Sequence, residues 1–457
     1  DSCGIWAPCL SWADGKFWLC YTVVRRFDGD FKDAHNYLTT CETIDGTWSD
    51  PEFMTSSGFD PSLFHDDEGR KWHLNMLWSH RPGQNRFAGI VMQEFSPAEK
   101  RLVGEVRNIF SGSDRALTEG PHIYKRDGYY YLLTAEGGTG YEHACTLARS
   151  KNLAGPYELH PDTHLISALD HPNASLQRTG HGSMVETPDG DWYLTHLCGR
   201  PIAPDLRRCP MGRESALQRL RWDDDGWPRL ADPDNALVAA TDHTRTAQRF
   251  EFEDGRLPAE FQWLRIPDLE RIVSEGARPG WLRLIGRESP GSLFETALVA
   301  RRQQHFSYDA ETCMEFAPQH IQQMAGLIAW YNAHKFYFLH VTCNEDGNRE
   351  LAIMTCQGDQ STMLDYPEGG SIILPSDSDR IWLRYKIRRT ELQFSYSLDG
   401  EQWSSIGPVL DASILSDETG KTEHGNFTGA FTGLACQDVS GQALHADFNY
   451  FVYREKD

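Results

Sequence analysis

The sequence predicts an all-β chain, a β-propeller followed by a β-sandwich. Three observations carry this. A unit of strand, glycine turn and aromatic strand recurs four times, with turn glycines Gly15, Gly69, Gly128 and Gly190 spaced by 54, 59 and 62 residues. Each interval leaves room for two further strands, and four strands per repeat is the mark of propeller blades. Beyond Phe250 the repeat stops, yet short alternating strands continue, as a two-sheet sandwich requires.

Composition fits that class. The chain has 457 residues, enough for two or three domains, with 40% apolar and 12% aromatic residues. Its formal charge of −22 argues against nucleic acid or an anionic membrane as partner, since phosphate binding needs clustered Lys and Arg. No apolar run reaches membrane-spanning length. Eleven scattered cysteines, without a CxxC pair or zinc-ligand spacing, read as reduced thiols and point to the cytoplasm. Asn173-Ala174-Ser175 and Asn426-Phe427-Thr428 match the glycosylation sequon, a pattern common by chance.

The first unit runs GIWAPCLSWADGKFWLCYTVV from Gly4, with its turn at Asp14-Gly15. The second is GFDPSLFHDDEGRKWHLNMLW from Gly58, turning at Glu68-Gly69. The third, LTEGPHIYKRDGYYYLLTAEGGT from Leu117, turns at Asp127-Gly128. The fourth, GHGSMVETPDGDWYLTHLCG from Gly180, turns at Asp189-Gly190. Asp-Gly between hydrophobic runs is a strong hairpin signal. Just before the first apolar run of these units stand Trp6, Asp60, Glu119 and His181. At equivalent positions of a propeller they face one axis and converge. Two carboxylates beside an aromatic wall suggest glycosidic bond cleavage, and an axial polar plug is the alternative.

Between Trp222 and Phe250 the pattern breaks in an acidic, proline-containing stretch, which places the division at 1–240 and 241–457. In the second part Trp281–Leu284, Ile381–Ile387 and Leu392–Ser397 alternate, Leu327–Tyr331 and Phe336–Val341 read as buried strands, and Ala446–Tyr453 reads as the last strand.

At GIWAP, SSGFDPSLFHDDEGRKW, TEGPHIYKRDGYYYLLTAEGGTGYEH, GHGSMVETPDGDWYLTHLCGRP and CPMGRESALQ the chain resembles glycoside hydrolase family 43, in its β-xylosidase branch. The resemblance implies a five-bladed propeller with an accompanying sandwich and an inverting acid/base hydrolysis without a required cofactor. Glu119 matches the general acid. Asp60 matches the group that tunes and orients it. The general base of the family is an Asp in a Pro-Asp-Pro-like motif ahead of the GIWAP segment, and no such motif stands there. The expectation is therefore an incomplete first blade and a base absent from this chain, with an N-terminal companion segment as partner. The resemblance also implies that Arg213 binds sugar hydroxyls, that Trp6 forms an apolar wall, that Thr139 lines the pocket and that Phe427 closes it from a sandwich loop. His181 orients the site or holds a water beside a calcium ion.

An inverting hydrolase needs an acid for the leaving oxygen and a base for water on the opposite face. The acid must hold its proton, above the free value of about 4.3, which a neighbouring ionised carboxylate and burial both favour. The leading expectation is release of xylose from the non-reducing ends of xylooligosaccharides. Alternatives are an α-L-arabinofuranosidase or bifunctional enzyme, a sugar-binding protein without turnover, and an interaction scaffold. A homo-oligomer is compatible with all of them.

Overall fold

The computed structural model describes residues 3–26, 29–240, 247–358, 364–376, 380–419 and 427–456. Two compact units emerge, Asp1–Gly199 with Glu214–Ala239, and Arg200–Arg213 with Ala240–Asp457. The division expected after residue 240 meets residues 241–246, which lie outside the described ones. The excursion of Arg200–Arg213 into the second unit formed no part of that expectation.

The first unit holds four antiparallel four-stranded sheets, each in sequential order. They are β1 (Ile5–Ala13), β2 (Lys16–Arg26), β3 (Asp33–Cys41) and β4 (Glu52–Thr55); β5 (Gly58–His65), β6 (Lys71–Trp78), β7 (Phe87–Ser96) and β8 (Arg101–Phe110); β9 (Glu119–Arg126), β10 (Tyr129–Glu136), β11 (Ala144–Ser150) and β12 (Glu158–Ser167); β13 (Gln177–Glu186), β14 (Trp192–Gly199), β15 (Glu214–Trp222) and β16 (Pro228–Leu230). The first sheet thus has all four strands, which corrects the expectation of an incomplete first blade. The stretch from Gly4 to Thr55 is long enough for a full meander. Among the described residues there are four such sheets.

The hairpin turns follow from their glycines. Asp14 and Gly15 have φ of 54° and 73°, and Asp127 and Gly128 have 48° and 80°. Ala13 pairs with Lys16 and Arg126 with Tyr129, so both are two-residue turns with two positive φ angles, as the strand twist demands. The turns at Gly69 and Gly190 are wider: His65 pairs with Lys71 and Glu186 with Trp192.

Alternation along the strands fills the space between sheets. Trp18, Cys20, Leu38, Leu63 and Phe95 pack between the first and second. Val24, Leu74, Met76, Ile90, Leu132 and Ala148 form one cluster spanning the first three. Tyr131, Leu133, Leu147, Met184, Trp192 and Leu194 join the third to the fourth. Each fully buried Leu or Met contributes about 1.5–3 kcal/mol. One face of the first sheet is different. Ile5, Leu10, Trp12 and Phe53 on it are 57%, 50%, 56% and 50% exposed. Their cross-strand neighbours there are also apolar: Leu10 pairs with Leu19, Trp12 with Phe17, and Tyr37 with both Tyr21 and Phe53.

The second unit is a sandwich of two eight-stranded antiparallel sheets. Ser307–Glu315, Arg380–Arg388 and His445–Glu455 lie in one, and Gln323–Asn332, Lys335–Cys343 and Phe431–Asp438 in the other. Tyr308, Leu327, Tyr337, Leu339, Leu383, Phe394 and Phe448 fill the interior. Strands expected at Trp281, Ile381, Leu392 and Ala446 are all present. Segment Arg200–Arg213 is tied to this unit by Ala430 N–H donating to Pro210 O (2.7 Å) and Arg213 N–H donating to Thr428 O (2.9 Å). No helix among the described residues is long and apolar enough to cross a membrane.

Candidate active site

The innermost strands of the four sheets share one irregularity. In β1, pairing with β2 skips between Trp6 and Cys9; in β5, with β6, between Phe59 and Ser62; in β13, with β14, between Gly180 and Ser183. In β9, Glu119 pairs with Ala135 and His122 with Leu133. Each skip advances three residues against two on the partner, a β-bulge that bends the strand and re-aims a side chain. The quartets Trp6-Ala7-Pro8-Cys9, Phe59-Asp60-Pro61-Ser62, Glu119-Gly120-Pro121-His122 and Gly180-His181-Gly182-Ser183 are therefore equivalent. This corrects the expected correspondence. Glu119 occupies the last paired position, with Trp6, Phe59 and Gly180. Asp60 and His181 occupy the next one, inside the bulge, where φ is positive at Asp60 (55°), Gly120 (58°) and His181 (49°).

Convergence itself is observed. One ligand atom each from Asp60, Glu119 and His181 lies within 4.8 Å of the others. His181 Nδ1 stands 4.0 Å from Asp60 Oδ2. Asp60 and Glu119 are 6% and 7% exposed, so both carboxylates sit largely out of water. Gly120 makes the approach feasible, because a β-carbon there would lie 2.8 Å from His181 Nε2. Trp6 meets the ring of Phe59, the chain neighbour of Asp60, edge-on at 5.1 Å.

Beneath the three residues lies a layer that sequence reasoning missed. His122 Nδ1 is 3.8 Å from Cys9 Sγ, and its Nε2 is 3.4 Å from Ser183 Oγ. Ser62 Oγ donates to Pro121 O (2.5 Å). So the strands β1, β5, β9 and β13 meet around a common axis. Burial, with His181 nearby, lowers the His122 pKa to about 4. Burial raises the Cys9 thiol to about 11, which leaves it unsuited as a nucleophile. Aligning the four quartets would have revealed His122. Arg178, buried three residues before His181, also went unnoticed, for want of any motif; its Nε donates to the carbonyl of half-buried Thr139 (3.0 Å).

Arg213 and Phe427 are brought together in the second unit, the guanidinium 4.8 Å from the ring centroid. Phe427 has φ of 51°, and its N–H donates to Asp417 Oδ1 (2.8 Å), which also accepts from Tyr331 Oη. Asn426 of the second sequon lies outside the described residues.

Buried paired carboxylates at the axis of radially arranged four-stranded sheets, with a sandwich following in the chain, define a propeller-type glycoside hydrolase. The chain belongs to glycosyl hydrolases family 43. That family's pattern matches residues 1–228, and that of the Beta xylosidase C-terminal Concanavalin A-like domain matches residues 249–454. Xylosidase/arabinosidase 43B of Humicola insolens is 54% identical, over 99% of this chain and 85% of that protein. Beta-xylosidase of Bacillus subtilis (strain 168) is 46% identical, over 100% and 87%. The crystal structure of xylan beta-1,4-xylosidase from Bacillus halodurans C-125 superposes with a TM-score of 0.91 at 46% identity, covering 99% of this chain and 87% of that one.

Proposed function

We propose that this chain is an exo-acting β-D-xylosidase that releases xylose from xylooligosaccharides with inversion. The convergence of Asp60, Glu119 and His181 carries the reading. In it Glu119 gives its proton to the leaving oxygen. Two carboxylates this close share a proton more readily than they ionise together, so Asp60 keeps Glu119 protonated and His181 orients Asp60. A separation under about 5 Å leaves no room between them for the attacking water of an inverting pair, so Asp60 is not the base. The base comes from a carboxylate outside these three, on a fifth blade. The apolar face of Ile5, Leu10, Trp12 and Phe53 supports such a blade, because large exposed apolar patches mark places where something packs. Trp6 and Thr139 line the pocket, and Arg213, in the second unit, offers a two-pronged donor of the kind that suits sugar hydroxyls.

A calcium ion fits the three residues poorly. Calcium takes six to eight oxygens, and the cluster offers two carboxylates and an imidazole nitrogen. Direct coordination would also displace the proton that Glu119 has to deliver. The substrate is a xylooligosaccharide, and the charge of −22 argues against nucleic acid.

The relative named a xylosidase/arabinosidase favours α-L-arabinofuranosidase as a second activity of the same site. Initial rates on 4-nitrophenyl β-D-xyloside and α-L-arabinofuranoside, with the protein and its Glu119→Gln variant, test both. The expected result is turnover of the xyloside that falls at least about 100-fold in the variant. Equal rates in the two proteins would remove Glu119 from the mechanism.

A further inference from the structure

Behind Glu119 lies a second carboxylate that the mechanism above does not use. Glu136 ends β10 and is 0% exposed. Its Oε1 accepts from Ser113 N–H (2.7 Å) and Thr118 Oγ1 (2.8 Å). Its Oε2 accepts from Thr146 Oγ1 (2.7 Å) and from Ser113 Oγ. Among the described residues no Lys or Arg side chain is hydrogen-bonded to it. Four donors aimed at one carboxylate satisfy it completely. Thr146 spends its proton on Glu136, so its oxygen accepts from His164 Nδ1 at 2.9 Å.

The bonds fall at meaningful places. Ser113 and Thr118 bracket a loop in which Ala116 and Leu117 have φ of 60° and 55°. Two consecutive side-chain-bearing residues in the left-handed region persist only where surrounding contacts hold them. Gly137 N–H adds a bond to Ala116 O (2.9 Å). The loop passes so close that a β-carbon on Gly112 would come within 1.9 Å of Thr118 Oγ1 and 2.8 Å of Glu136 Oε1. The residue after Thr118 is Glu119, which pairs with Ala135, the residue before Glu136. One carboxylate therefore ties both ends of the strained loop to the strand that holds the acid in register.

We propose that Glu136 is a positioning residue for Glu119: it clamps loop 113–118 and thereby fixes where the acid's carboxyl meets the leaving oxygen. This rests on Glu119 being the acid. A glutamine at 136 preserves volume but turns two N–H donors toward groups that themselves donate, so it releases the clamp without emptying the core.

The test is Glu136→Gln in the full chain, read in two ways. Amide hydrogen exchange over residues 113–118 should rise at least tenfold, while exchange in the second unit stays as it was. The rate on xylobiose should fall 10- to 100-fold at a KM within about threefold. The rate on 2,4-dinitrophenyl β-D-xyloside should fall less than threefold, because that leaving group departs without a proton. Unchanged exchange overturns the clamp, and equal losses on both substrates overturn its link to the acid. Glu119→Gln on the same two substrates separates the readings: if it shows no leaving-group contrast, the acid assignment fails, while exchange still decides the clamp. Should Glu136→Gln fail to fold, Thr118→Val removes a single donor and should raise exchange in the same loop, by a smaller factor; no rise overturns the clamp.

Discussion

The imidazole of His181 lies against the α-carbon of Gly120, with Nε2 2.8 Å from where a β-carbon would stand. Gly120 follows Glu119 directly and has φ of 58°. Gly120→Ala therefore carries two penalties, a strained backbone and a displaced His181. The expected outcome is a loss of about 1–3 kcal/mol in stability. Activity should fall by more than that of a control alanine on an exposed strand, read by thermal melting beside kcat/KM.

Acid should loosen the first unit. His73 is buried and His122 half-buried, and desolvation lowers each pKa to about 4. Unfolded, each returns to about 6.5. Between those values the unfolded chain binds more protons, so stability falls as pH drops from about 6.5 toward 4 and is flat above. Each histidine accounts for about 3 kcal/mol at most. Urea midpoints from pH 7.5 to 4.5 check this, and His73→Leu should flatten the slope.

Arg213 stacks on Phe427, and its backbone is pinned where Gly212 passes Thr428. A lysine keeps the charge but loses the planar fork and most of the stacking. Arg213→Lys is expected to raise KM for the xyloside about tenfold or more with the melting temperature unchanged. An unaltered KM would separate Arg213 from sugar binding.

Leu10 sits on the apolar face of the first sheet and is 50% exposed. If a fifth blade covers it, Leu10→Lys buries an unpaired charge and costs several kcal/mol. The expected fall in melting temperature is then about 5 °C or more. If the face is bare, the substitution leaves melting unchanged.

The hairpins at Gly15 and Gly128 were legible because a two-residue turn with positive φ depends on the local residues alone. Glu119 and Asp60 were legible as carboxylates at the heads of repeated strands. Their stagger was not. Which residue falls inside a bulge is set by pairing with the neighbouring strand, and Glu119 pairs with Ala135 while Asp60 lies in the skip after Phe59.

Strand repeats, the all-β class and the pair of carboxylates can be read along the chain, because side-chain period and turn chemistry act within a few residues. Tertiary structure decided the rest. It set His122 beside the cluster, folded Glu136 next to the strand position that pairs with Glu119, completed the first sheet and sent Arg213 to pack with Phe427. These are contacts between residues tens to hundreds of positions apart, and they follow from the packing of whole sheets rather than from any local pattern.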